Sequence, residues 1–268
     1  MDQSINDEKI ATSLGTYKIS IRKGKKMVVF LNGASSFDTE QTFDPIIVDL
    51  PKQVGIFALD YINSGLSSQE THPFILEEET KIISGLIRAR HAEKIIIVAH
   101  SIGGLYALHI APNLNNLAGF VGIEPTTREV TLNTPTEPAY KDAEEAAAKL
   151  TEEELNAQVK KRVYKYFSKT LADKIWQTHL LDETREVDSI TKLLNQNFDD
   201  TFKKYPDRKL AKNLPVILFT QSFRVNEYKR SEYFTDDARI KPLGTFHYIH
   251  WEFPNEVGNA IKEILDKI

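Results

Sequence analysis

Ser101 stands between small residues in "IIIVAHSIGG", with Ala99 two positions before it and Gly103 two after. A serine between a buried strand and a helix has two uses. It can cap the helix by accepting a backbone N–H, or it can be a nucleophile raised on a sharp turn whose crowded backbone tolerates only small neighbours. A nucleophilic hydroxyl needs a base to take its proton. The 268-residue chain has no cysteine, which excludes disulfides, thiolate metal sites and a thiol nucleophile, so the chemistry falls to Ser, His, Asp and Glu. Two of the 7 histidines, His247 and His250, lie together in the late stretch "TFHYIHWEFPNEV". Acids follow two apolar runs: Glu124 ends "GFVGIE", and Glu227 lies after "PVILFT".

Those residues need elements to bring them together. "MVVFL" (27–31), "VGIFAL" (54–59) and "KIIIVA" (94–99) are β-branched runs that end in turn-prone segments, as strands covered on both faces do. "LAGFVGIEP" (117–125) and "LPVILFT" (214–220) read the same way. Upstream, Tyr17, Ile19 and Ile21 alternate ahead of Lys23-Gly24-Lys25, which predicts a hairpin into the first core strand and a sheet mixed at its edge. Ile75, Ile82, Ile83, Leu86 and Ile87 share a helical face. A helix is predicted from about Leu105, and Val257, Ile261, Ile264, Leu265 and Ile268 mark a final one behind Pro254. Strands alternating with helices predict an α/β sheet. Residues 126–213 break that rhythm with helical patterns alone: a capping box at Thr151–Glu154 followed by Leu155, Val159, Val163 and Phe167, then "LADKIWQTHLL" and "DSITKLLNQNFDDTFKKY". The domain reading is a core of 1–125 and 214–268 with a helical insertion at 126–213.

Taken together, "VVFLNGAS", "DYINSGLS" (60–67), "AHSIGG" and "FHYIHWEFP" resemble the α/β-hydrolase fold superfamily over most of the chain outside the insertion. Two positions depart from its patterns: Asn63 replaces the first glycine of D-x-x-G-x-G-x-S, and Asn32 stands where many members carry histidine. The resemblance implies a mostly parallel central sheet flanked by helices, with a helical cap inserted between core strands. It implies that Ser101 attacks an acyl carbonyl, that His247 serves as base with His250 as a neighbour, and that the backbone N–H groups of Ala34 and Ile102 form the oxyanion hole. The triad acid is left open. Arg224 lies near the place where members often carry aspartate. Glu124-Pro125 resembles the Gly-x-Asp-Pro turn from which some lipases of this fold supply theirs, with Glu227, Asp236, Asp237 or no acid as alternatives.

A formal charge of -4 gives no basic footprint for nucleic acid, and the polar, acidic N-terminus and lack of a long apolar run predict a cytoplasmic protein without membrane insertion. His109 and His179 lack metal-ligand spacing, and Gly103-Gly104 lacks the lysine of a phosphate loop, so no metal and no cofactor are expected. His100 is read as structural, because a side chain next to an elbow nucleophile turns away from the cleft. Tyr140, Tyr164, Tyr166, Phe167 and Trp176 are candidates for an acyl pocket or for core, and the charge runs "DAEEAAAK" and "TEEE" for solvated helix faces. The expected activity is hydrolysis of a carboxylic ester or related acyl bond of a small molecule. The alternatives are a ligand-binding module with little turnover, motivated by the missing aspartate after "PVILFT", and an acyltransferase.

Overall fold

The computed structural model describes residues 4–35, 37–70, 74–132, 138–147, 149–183 and 208–268. The helix predicted over 188–205 and the side chain of Tyr140 lie outside the described residues.

Among the described residues one sheet carries eight strands: β1 (Asn6–Thr12), β2 (Gly15–Arg22), β3 (Lys26–Leu31), β4 (Gly55–Leu59), β5 (Lys94–His100), β6 (Leu117–Ile123), β7 (Val216–Thr220) and β8 (Ala238–Pro242). Their order is β1-β2-β4-β3-β5-β6-β7-β8. β2 runs antiparallel to both β1 and β4, and every other pair is parallel, so the sheet is mixed at one edge. The continuous apolar runs follow from burial on both faces, because successive side chains of a strand point to opposite sides. Val29, Leu31, Ile97 and Ala99 enter one core with α2 (Leu76–Arg88) and α3 (Gly103–Ile110). Their neighbours Val28, Phe30, Ile96 and Val98 enter a second core with α1 (Thr39–Ile47) and the C-terminal helix Pro254–Leu265.

The predicted hairpin at Lys23-Gly24-Lys25 is corrected. β2 does not pair with β3; it pairs with β4, and the tight connection lies upstream between β1 and β2. At Gly24 the chain passes over the start of β4 so closely that a Cβ there would lie 2.2 Å from the Gly55 nitrogen. This glycine serves a crossing rather than a turn. Three elements carry little signal in the sequence. β1 and β8 are edge strands with polar, half-exposed residues, so no apolar run marks them. α1 holds Pro45 and is started by the Asp38 carboxylate, which accepts from the Gln41 N–H at 2.9 Å.

Between β6 and β7 come α4 (Arg128–Thr131), α5 (Pro138–Ala147), α6 (Glu152–Tyr166) and α7 (Lys169–Glu183). The capping box forms: Thr151 Oγ1 accepts from the Glu154 N–H at 3.2 Å, and the Thr151 N–H donates to Glu154 Oε2 at 2.8 Å. Val163, Phe167, Ala172 and Ile175 pack on Phe37 and Trp251, which seats the helical cap on the loop after β3 and on a segment near the C-terminus. Tyr164 is exposed, and its hydroxyl donates to Asp173 Oδ1 at 2.8 Å. No helix of the described residues is long and apolar enough to cross a membrane.

A buried carboxylic acid joins the first core. Glu79 of α2 accepts from Tyr106 at 2.6 Å, from the Ile62 N–H at 3.0 Å and from Tyr17 at 3.4 Å. Burial outweighs these donors and pushes its pKa up from 4.5 to about 7. A raised native pKa means that the folded state binds the proton more tightly. The stabilisation is full below 4.5 and is lost as the pH rises towards about 7. Glu79→Gln removes that component, so the difference in unfolding free energy between wild type and variant is expected to shift against wild type from pH 5 to pH 8. Urea titrations at the two pH values check this, and a constant difference would refute it.

Candidate active site

The site is built on the C-terminal ends of β3, β5 and β6, where an open parallel sheet presents its loops. Ser101 leaves β5 with φ 51°, in the left-handed region that costs a non-glycine residue about 1–3 kcal/mol. Local bonds hold it there: its N–H donates to Ile123 O at 3.1 Å, and its carbonyl accepts from Gly104 N at 3.0 Å and Thr126 N at 2.8 Å. The helix that follows starts at Gly103, two residues earlier than predicted. It presses on β3 so closely that a Cβ on Gly103 would lie 2.4 Å from Leu31 O. Small residues at this turn are therefore a steric requirement of the fold. Ile102 immediately precedes α3, so its N–H sits at the positive end of the helix dipole.

The turn after β3 lies against the serine: a Cβ on Gly33 would come within 3.1 Å of Ser101 Cβ. Asn32 fixes this turn through its side chain, with Oδ1 accepting from Gly33 N at 2.9 Å, while the Asn32 carbonyl accepts from the Tyr61 hydroxyl at 3.0 Å. Ala34 follows, exposed. The next loop shows why asparagine is tolerated at the glycine position: Asn63 has φ 67°, a conformation in which asparagine is several-fold enriched. Asp60 accepts from Leu66 N at 2.9 Å and from Thr39 N at 2.7 Å, tying this loop to the start of α1.

His247 lies after β8, just ahead of a short helix, α9 (Ile249–Glu252), with α8 (Val225–Arg230) on the other side of β8 and α10 (Pro254–Leu265) beyond. Its Nδ1 is 2.9 Å from Glu124 Oε2. Glu124 also takes a left-handed conformation, φ 44°, and is 1% exposed, whereas the His247 side chain is 39% exposed. Around Glu124 the donors converge: Gln221 N at 2.8 Å and Thr220 Oγ1 at 3.2 Å reach Oε1, Gln221 Nε2 reaches Oε2 at 3.1 Å, and Arg224 Nη1 lies 3.3 Å from Oε2. Burial alone raises a carboxyl pKa, but here the His247 hydrogen bond, the Arg224 charge and the Gln221 N–H outweigh it and hold Glu124 down at about 2. Glu124 is thus ionised and accepts only, so His247 Nδ1 is the donor, and in the neutral ring that tautomer leaves the lone pair on Nε2.

Glu227 belongs to a different pair. Arg224 donates to it in bidentate fashion, Nε to Oε2 at 2.9 Å and Nη2 to Oε1 at 2.7 Å, and Thr127 adds a third bond at 2.6 Å. Asp236 and Asp237 are exposed. Of the acids weighed from sequence, the structure brings Glu124 to the histidine. Thr220, Gln221 and Tyr61 have no motif signal, because their roles arise from strand neighbours distant in sequence. His250 is buried and stacks on Phe43 at 4.5 Å, away from Glu124. Among the described residues no group of three or more His, Asp or Glu side chains is arranged to hold a metal ion.

The sequence profile of the alpha/beta hydrolase family matches residues 28–256. No curated protein sequence is significantly similar to the chain. Among solved structures, Smu.1393c from Streptococcus mutans superposes with a TM-score of 0.84 at 24% identity, over 98% of both chains. A mutant of Vigna radiata epoxide hydrolase gives 0.73 at 13% identity over 100% of both chains. A laboratory-evolved variant of potato epoxide hydrolase gives 0.73 at 14%, over 99% of this chain and 100% of that one. At such identities the likeness establishes the fold.

The buried Arg224 is paired with two carboxylates, so removing it leaves both without their cation. Arg224→Met is expected to destabilise by about 3–5 kcal/mol. Arg224→Met combined with Glu227→Gln should be less destabilising than Arg224→Met alone. Urea unfolding of both single variants and the double variant closes the cycle; strict additivity would show that the pair is not coupled.

Proposed function

We propose that this chain, which belongs to the alpha/beta hydrolase family, is a serine hydrolase that cleaves a carboxylic ester or related acyl bond of a small molecule through a covalent acyl-enzyme. The observation that carries the reading is the 2.9 Å contact between His247 Nδ1 and Glu124 Oε2, on the same end of the sheet as the strained Ser101 turn. In this reading Ser101 Oγ attacks the carbonyl carbon as His247 Nε2 takes its proton. The oxyanion is met by the Ile102 and Ala34 N–H groups, each such donor being worth about 10²- to 10³-fold in rate. Collapse breaks the acyl–oxygen bond, and His247 hands its proton to the leaving group. Water, deprotonated by the same nitrogen, then releases the acid and frees Ser101. Glu124 fixes the tautomer and stabilises the transient imidazolium. The same reading assigns 1–125 and 214–268 to the core and 126–213 to the cap.

Epoxide hydrolases stand among the structural neighbours, and the identity of the nucleophile bears on that chemistry. A serine that opened an epoxide would be left as an alkyl ether, which has no carbonyl for water to attack, so turnover would stop after one event. An acyl ester on serine has that carbonyl. With Glu124 in contact with His247, the missing aspartate after β7 no longer favours a binding-only protein.

A fluorophosphonate tests the reading without knowledge of the substrate. One adduct is expected on wild type by intact mass and none on Ser101→Ala; a folded wild type that takes no label would overturn it. On any acyl ester turned over, Glu124→Gln should lower kcat on the order of 10⁴-fold, and Glu227→Gln should leave it within the same order of magnitude. The reverse pattern would remove Glu124 as the acid.

A further inference from the structure

His100 precedes Ser101 and is 1% exposed beneath the site. Its Nε2 lies 3.2 Å from the backbone carbonyl of His247. A carbonyl only accepts, so Nε2 carries the hydrogen. Among the described residues Nδ1 is buried without a partner, which fixes the ring in one neutral tautomer, because a second N–H there would be buried unsatisfied. The ring is crowded on several sides. His247, Tyr248 and His250 each lie with ring centroids 4.7 Å away, and a Cβ on Gly33 would come within 2.8 Å of Nδ1. One side chain therefore touches the histidine loop and the turn after β3, and it is covalently next to the serine.

We propose that His100 is a positioning residue for acyl transfer: its Nε2–H, given to the carbonyl of His247, ties the loop of the base to the strand that carries the nucleophile. The proposal rests on the serine-hydrolase reading above. The bond runs from the neighbour of Ser101 to the backbone of His247 itself, with no residue between. The histidine loop is otherwise exposed at its tip, and the Glu124 bond fixes only one side of the imidazole; the carbonyl bond fixes the backbone from which that ring hangs. Burial and the nearby His247 and His250 rings hold the His100 pKa well below its ordinary value, so it places no positive charge beside His247 when that ring is protonated. An apolar residue of the same size would fill the space and leave the His247 carbonyl without its donor.

Two measurements test this. In wild type, ¹⁵N spectra of the histidine rings should show His100 neutral and protonated on Nε2; a ring protonated on Nδ1, or on both nitrogens, would overturn the tie while leaving the serine-hydrolase reading intact. The second is the rate of fluorophosphonate labelling in His100→Gln, whose amide donor reaches about as far as Nε2, and in His100→Phe, which fills volume without a donor. His100→Gln should label close to the wild-type rate. His100→Phe should fall on the order of 10²-fold, as expected for a base displaced by about 1 Å, with the loss in the limiting rate and not in the reagent concentration for half-maximal rate. Equal labelling of the two variants would reduce His100 to packing. A wild type that shows the Nε2 tautomer but takes no label would overturn the serine-hydrolase reading, and the positioning role with it.

Discussion

A buried negative charge at the end of β6 organises this end of the molecule. Glu124 has almost no access to water, and an ionised carboxylate in such a place costs several kcal/mol unless donors replace its hydration. They come from three directions: the end of β7 through Thr220 and Gln221, the following turn through Arg224, and the histidine loop through His247. Meeting that demand fixes the relative heights of β6, β7 and the loop after β8. Glu124 has a left-handed backbone, and the adjacent strand ends in the same conformation at Ser101. The two strained residues are held by a shared ladder, Ser101 N to Ile123 O and Glu124 N to Phe219 O, so each strand end stabilises its neighbour.

The charge inventory explains why Glu124 contacts the histidine while an arginine stands in the turn after β7. Arg224 faces both Glu124 and Glu227, and the bidentate pair with Glu227 sets the plane of the guanidinium so that the remaining nitrogen meets Glu124. The two carboxylates and one cation leave a single net negative charge close to His247, the sign that stabilises an imidazolium. Tyr228 and Tyr233 donate to the carbonyls of Pro125 and Thr126, fastening the chain as it leaves Glu124 towards the cap.

The residues in play sit at strand ends and in the turns and short helices that follow them, and their precision comes from the rigid strands beneath. The cap is anchored at two segments of the core, through Phe37 after β3 and Trp251 of α9 after His247. Arg162 of α6 also lies over the Phe246 ring at 3.5 Å, next to His247 in sequence. The cap therefore packs directly on the loop after β3 and on the segments flanking His247.

The sequence by itself determined the central strands and the turn at Ser101, and it set the candidate acids between Ser101 and His247 in the chain. These are local properties: β-branched runs report burial on both faces, and small residues around a serine report a crowded turn. It left the acid open among Glu124, Glu227, Asp236, Asp237 and none, because these carboxylates differ in which partner the fold sets beside them and not in their chemistry. Tertiary structure gave Glu227 to Arg224 and Glu124 to His247. It also moved β2 away from β3, since pairing depends on where a strand lies in the sheet, and a single strand's alternation does not encode its neighbour. Edge strands such as β8 and helpers such as Gln221 and Tyr61 stayed unreadable for the same reason: their roles come from contacts between segments about 30 to 100 residues apart in the chain.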